Sequence, residues 1–161
     1  MASSDKRKTA GGVAGAELRF AGDWGSASFS DNGSRCSADF RAAPCRVPLV
    51  EFRSHFDERT ACEGGPVCVE HTLTLVADRR DAAPWLDRDF VRRCAYEGVV
   101  AQVTLNDGRT LLAGCSEHLR SEQPLKLVSL QVLSGVLPSD RPVAVLTLRS
   151  VDTAAAAEMV Q

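Results

Sequence analysis

Two histidines and two cysteines lie close together in the chain, and their side chains could bind a metal ion. They are His55, Cys62, Cys68 and His71. Zinc prefers four nitrogen or sulfur ligands in a tetrahedral arrangement, which two Cys and two His would supply. The two cysteines are farther apart in sequence than the tight Cys pair of a zinc knuckle. The sequence leaves three states open here: a zinc site, a Cys62–Cys68 disulfide and unlinked thiols.

A second group, Cys115, Glu117 and His118, contains a thiol and a base that could act in nucleophilic catalysis. Sequence adjacency does not supply the imidazole contact or the oxyanion site that such an enzyme needs. The chain also lacks the GxSxG, P-loop, GxGxxG and HExxH patterns. We therefore predict a protein without enzymatic activity, and we assign it no cofactor.

The composition is typical of a globular protein, with 44% hydrophobic and 25% charged residues among 161. A net charge of −2 argues against a nucleic-acid-binding role, because such proteins usually carry an excess of basic residues. The N-terminal region has no apolar segment typical of a secretion signal, and no run is long enough to span a membrane. These features predict synthesis in the cytoplasm, with most of the six cysteines reduced.

The segment from Gly98 to Ser116 predicts a β-hairpin around which the other elements are arranged. Apolar residues alternate along its first half, at Val99, Ala101, Val103 and Leu105. The turn at residues 106–108, Asn-Asp-Gly, contains residues that tolerate a positive φ.

One main helix is expected at about residues 81–97, with Asp81 as its cap, Pro84 in its first turn and Gly98 at its end. Alternating or β-branched runs predict strands elsewhere, and a second turn at residues 31–33 predicts a hairpin. The strands are expected at residues 27–30, 35–40, 49–56, 67–77, 125–136 and 143–151, with a loop at 57–66. This pattern predicts a β-dominated α+β fold, built as an antiparallel sheet, a sandwich or a barrel.

The sequence VTLNDGRTLLAG at residues 103–114, the loop at Pro124 and the closing LTL strand resemble small structural proteins of phage tails and tail-like particles. The resemblance covers roughly residues 67–150. It implies an α+β or β-sandwich subunit of a homo-oligomeric ring, tube or baseplate, without an active site.

We expect a flexible N-terminal arm (residues 1–16), a single β-rich domain (17–151) and a C-terminal tail (152–161). The leading hypothesis is a non-enzymatic assembly subunit that self-associates through sheet edges, loops and termini and contacts other proteins of the same particle. Such a subunit would be incorporated into a virion or tail-like particle. The alternative is a small zinc- or thiol-containing binding module that uses His55, Cys62, Cys68 and His71.

Overall fold

The computed structural model of the protein describes residues 11–62, 64–82 and 87–160. Two short helices, α1 (Arg79–Ala82) and α2 (Arg88–Tyr96), lie between the sixth and seventh of eleven strands. The strands are β1 (Val13–Phe20), β2 (Gly25–Ser30), β3 (Arg35–Phe40), β4 (Cys45–Arg46), β5 (His55–Ala61), β6 (Cys68–Asp78), β7 (Val99–Leu105), β8 (Thr110–Ala113), β9 (Lys126–Leu133), β10 (Val143–Asp152) and β11 (Ala157–Met159).

The strands form two sheets. Sheet A has seven strands in the order β2-β3-β11-β8-β7-β1-β4, and sheet B has four in the order β5-β6-β10-β9. Every pairing is antiparallel except that between β11 and β3. Both sheets are open, so the β-dominated α+β prediction is confirmed without the barrel variant.

The predicted central hairpin is present as β7 and β8, with Ala101 opposite Ala113 and Thr104 opposite Thr110. In its turn, Gly108 has φ +93° and its N–H donates to the carbonyl of Leu105 at 3.0 Å. A glycine in this left-handed region is typical of three-residue hairpin loops. The turn therefore forms for the local reason that the sequence indicated.

The main core lies between the two sheets. The hairpin contributes Val99, Ala101 and Val103, which are fully buried together with Leu73 and Leu148 of sheet B. The opposite face of the hairpin is also covered, because Val100 and Leu112 pack with Trp24, Cys36, Cys115 and Ala157. The hairpin is thus buried on both faces, which accounts for its central position.

The helix predicted at 81–97 is not continuous, because the backbone is extended at Asp87. Asp81 lies inside the short α1 instead of capping a long helix, and the cap of α2 is Asp87, whose side chain accepts a 2.7 Å hydrogen bond from the N–H of Phe90. Pro84 and Leu86 lie outside the described residues. The second half agrees with the prediction, since Phe90 and Cys94 are buried and Gly98 follows the helix.

Three other boundaries differ from the predictions. The strand expected at 49–56 starts only at His55, and it continues through Ala61 into the predicted loop. Strand β1 begins at Val13, inside the predicted arm, whose residues 1–10 lie outside the described residues. In the predicted tail, β11 forms between β3 and β8, because its residues pair with Arg35, Cys36, Leu111 and Leu112. The other predicted strands lie within one to three residues of β2, β3, β6, β9 and β10.

Candidate interaction edge

The two histidines of the predicted zinc set lie on opposite faces of sheet B. His55 of β5 is opposite Thr74 of β6, on the outer face, and its Nδ1 lies 2.7 Å from a carboxylate oxygen of Asp57. His71 is three residues from Thr74, so its side chain points to the other face, where it is buried. The register of β5 and β6 therefore separates these two side chains.

The two cysteines are exposed free thiols at the end of the same strand pair. The thiol of Cys62 donates to the carbonyl of Gly65 at 3.1 Å, and that of Cys68 lies 3.8 Å from the carbonyl of Pro66. Within the described residues, no group of three or more His, Cys, Asp or Glu side chains is placed to hold a metal ion. The geometry does not assemble a zinc site from His55, Cys62, Cys68 and His71.

Cys115, Glu117 and His118 are also not brought together. Cys115 is buried in the second apolar cluster, whereas Glu117 and His118 are exposed. Burial raises the pKa of the Cys115 thiol to about 11, so the thiolate needed for nucleophilic attack is scarce at neutral pH. The site does not have the geometry of a cysteine nucleophile with its base.

A buried polar cluster does form at one end of the core, and it was missed by the sequence analysis. It consists of His71, Ser116, Ser150 and Asp152, all of which are buried. The hydroxyl of Ser116 donates to Asp152 Oδ1 at 3.0 Å, and His71 Nε2 donates to the carbonyl of Ala154 at 3.0 Å. The sequence of β10 contains a pattern that could have predicted this cluster, because Ser150 and Asp152 continue the alternation that buries Leu146 and Leu148.

These residue types occur in hydrolases, but the hydrogen bonds of these four residues are not those of a Ser-His-Asp triad. Asp152 binds Ser116 and the backbone N–H of Thr153 instead of orienting His71. Ser150 lies directly opposite His71 in the strand register. In the described part of the chain, Ser150 Oγ and His71 Nδ1 are buried and have no hydrogen-bond partner. The cluster ties the end of β10 to the segment after β8.

The edge strands of the two sheets differ in the features that discourage pairing with another chain. At one edge of sheet B, β5 carries Asp57, Glu58 and Arg59, and charges of this kind discourage pairing with another chain. In sheet A, the edge strand β4 has only two residues. The opposite edge strand, β2 (GSASFS), has six residues, of which Phe29 is the one large apolar residue and is partly buried.

The remaining edge, β9, is long and carries a single charged residue, Lys126, at its start. It has eight residues, and after Lys126 no charged residue occurs before Asp140. Large apolar side chains are exposed along the strand and the following loop: Val128 by 59%, Val132 by 49%, Leu133 by 45%, Val136 by 94% and Leu137 by 61%. A long apolar strand edge is a template for pairing with another chain. We call β9 with residues 134–137 the apolar edge.

Comparison with known proteins gives no independent assignment for this surface. No protein-family model matches the chain, and no curated protein or solved structure matches it significantly. The resemblance to phage-tail proteins therefore stays a prediction. No helix in the described ranges is long and apolar enough to cross a membrane.

Helix α2 lies on the core side of the apolar edge. Its buried side chains, Phe90 and Cys94, share the main core with Leu127 and Leu130 of β9. On the same strand, Ser129 and Gln131 remain exposed. The helix and β9 therefore contribute side chains to the same apolar cluster.

Proposed function

We propose that this protein is a non-enzymatic assembly subunit that self-associates through the apolar edge, as a component of a phage tail or tail-like particle. The observation that carries the proposal is the exposed strand β9, which has no charged residue after Lys126, in a fold whose opposite sheet-B edge, β5, carries Asp57, Glu58 and Arg59. The resemblance of residues 103–114 to tail proteins supports the choice of particle.

The energetics of strand pairing favour such a role. Edge N–H and C=O groups can form a new ladder with an added strand, and side chains beside it set specificity. Fully burying one Val or Leu side chain contributes about 1.5–3 kcal/mol. Several half-exposed apolar residues therefore offer enough free energy to offset part of the entropy lost on association.

Light scattering across a concentration series tests the self-association. We expect a molar mass above that of the 17.3 kDa chain, rising with concentration until the assembly is complete. Negative-stain microscopy of the largest species would then show rings, tubes or discs. A chain that stays monomeric at all concentrations would overturn the proposal.

The particle assignment has its own test in the gene neighbourhood. Flanking genes for capsid, sheath or tape-measure proteins are expected if the subunit belongs to a tail-like particle. A neighbourhood of metabolic genes alone would contradict that assignment, even if the chain were oligomeric.

A further inference from the structure

We propose that β9 pairs in antiparallel fashion with β9 of a second copy of this chain, about a twofold axis at Gln131. The inference rests on the proposed function, because it specifies how the subunit self-associates. It joins the two copies of sheet B into one continuous eight-stranded sheet, since each contributes four strands.

A bulge limits the part of β9 that can pair regularly. In the register with β10, Ser129 is opposite Thr147 but Leu127 is opposite Leu148, so Val128 is an extra residue. Such bulges interrupt regular pairing. The regular segment of the strand is therefore residues 129–133.

The side chains of this segment allow it to pair with itself. Leu130 and Val132 lie opposite Leu146 and Ala144, which are buried, so both belong to the core side. The intervening residues, Ser129, Gln131 and Leu133, alternate to the outer side. With the axis at Gln131, Leu130 of one copy lies opposite Val132 of the other, and Ser129 lies opposite Leu133.

This register pairs the whole regular segment, residues 129–133, with itself. It also places residues from the same face of the sheet opposite each other. Core-side residues meet core-side residues, and Gln131 meets Gln131 on the outer face, where two amides can form a hydrogen bond. Apolar cross-strand pairs stabilise a sheet by roughly 0.2–1 kcal/mol each relative to Ala pairs. A shift by one residue in one strand alone would place core-side residues opposite outer ones.

The lack of charged side chains favours a second copy as the occupant. Residues 127–139 contain no charged side chain, so two identical segments can approach without like-charge repulsion. A strand of a different chain with charged residues would gain no ion pair here.

The exposed loop adds apolar area to the contact. Just beyond the regular segment, Val136 and Leu137 are 94% and 61% exposed. The twofold axis repeats the contact on both sides. An isologous contact of this kind closes a dimer, which larger assemblies can then use as their building unit.

Disulfide crosslinking tests the register. In a chain with Cys62→Ser and Cys68→Ser, which removes the exposed thiols, Gln131→Cys places one thiol from each copy beside the axis. The matched control is Gln123→Cys, an exposed glutamine outside β9. Because a disulfide needs Cβ atoms about 4 Å apart, we expect mild oxidation to convert Gln131→Cys to covalent dimer at least about tenfold faster than Gln123→Cys. The parent chain, with Cys62→Ser and Cys68→Ser but neither new cysteine, gives the background rate of covalent dimer formation.

Other outcomes separate the two proposals. Equal or negligible crosslinking of both variants, with an oligomeric wild-type chain in light scattering, would overturn the β9 pairing and leave the assembly function standing. A monomeric wild-type chain would overturn both. Rapid crosslinking of Gln131→Cys alone, with circular dichroism unchanged from the parent, supports the twofold pairing.

Discussion

At the scale of single residues, the close approach of neighbouring backbone segments explains why the residue at the end of the central hairpin is a glycine. Gly114 has φ +89°, and a Cβ there would lie 2.8 Å from the carbonyl oxygen of Val99 and 3.2 Å from the nitrogen of Leu125. Val99 and Leu125 exchange two backbone hydrogen bonds at 2.8 and 2.9 Å. A side chain at position 114 would therefore push against this bridge.

We expect Gly114→Ala to destabilise the protein more than Gly108→Ala. Both residues have positive φ, but a Cβ at Gly108 would meet nothing within 4 Å. The left-handed conformation alone costs about 1–2 kcal/mol for an L-residue, and the steric clash adds roughly 1–3 kcal/mol at Gly114. Urea unfolding measures both variants. Equal losses of unfolding free energy would contradict the close approach.

Thiol reactivity distinguishes the cysteines. Burial raises the pKa of Cys94 to about 12 and that of Cys115 to about 11, whereas Cys62 and Cys68 are exposed. Because the thiolate is the reactive form, we expect Cys62 and Cys68 to react first with a disulfide reagent such as Ellman's in the native protein. The double change Cys62→Ser with Cys68→Ser should remove the fast phase. A fast phase that survives it would show that the core thiols are accessible.

The sequence could suggest zinc-binding residue types but not their geometry. Whether His55 and His71 share a face depends on the register between β5 and β6, and one residue of register moves a side chain to the opposite face. The hairpin turn at residues 106–108 was predictable because its chemistry is local. The polar cluster around Asp152 needed long-range pairing of β6 with β10, which no local pattern specifies.

At the scale of elements, the C-terminal end of α2 is fixed by Glu97. Its carboxylate accepts a 3.0 Å hydrogen bond from Arg93 Nε and another of 3.0 Å from the N–H of Gly22. The guanidinium of Arg93 is the main reason that the pKa of Glu97 lies below its usual value of 4.5. The helix is thereby tied to the turn after β1.

This shift predicts how Glu97→Gln responds to pH. A carboxyl group with a lowered pKa in the folded state stabilises the fold above its unfolded pKa, and this stabilisation is lost as pH falls through the folded value. The variant should therefore be less stable than wild type at pH 7, and the difference should shrink below pH 4.5. Thermal unfolding between pH 3 and 7 measures it, with the exposed Glu122→Gln as control. A difference that grows on acidification would contradict the contact.

Element boundaries could be predicted where the alternation of side chains is strong and local turns agree with it. Strands β6 and β10 satisfy both conditions, and they lie within one residue of their predicted positions. The predicted bounds of β5 were wrong because its charged residues are typical of a loop. The strand nevertheless pairs with β6 along its full length. Strand β11 has only three residues, and its partners β3 and β8 are distant in sequence.

At the scale of the whole molecule, the two sheets bury a shared core and leave the apolar edge exposed. The alternation of apolar and polar side chains predicted the β-dominated class, because alternating runs are spread along most of the chain. Which strand would lie at an edge could not be predicted, because strand order depends on crossovers such as β6 to β10. The candidate interface therefore became visible only in the structure.

Sedimentation equilibrium tests self-association through the apolar edge most directly. The proteins to compare are the wild-type chain, Val132→Lys and Val67→Lys. Val132 and Val67 are similarly exposed, at 49% and 46%, but only Val132 lies on β9. Losing the burial of one valine and adding a charge should weaken association of Val132→Lys by at least about tenfold, since 1.4 kcal/mol corresponds to that factor. The account predicts that wild type and Val67→Lys associate alike and that Val132→Lys shifts toward monomer. A monomeric wild-type chain, or equal association of all three, would contradict it.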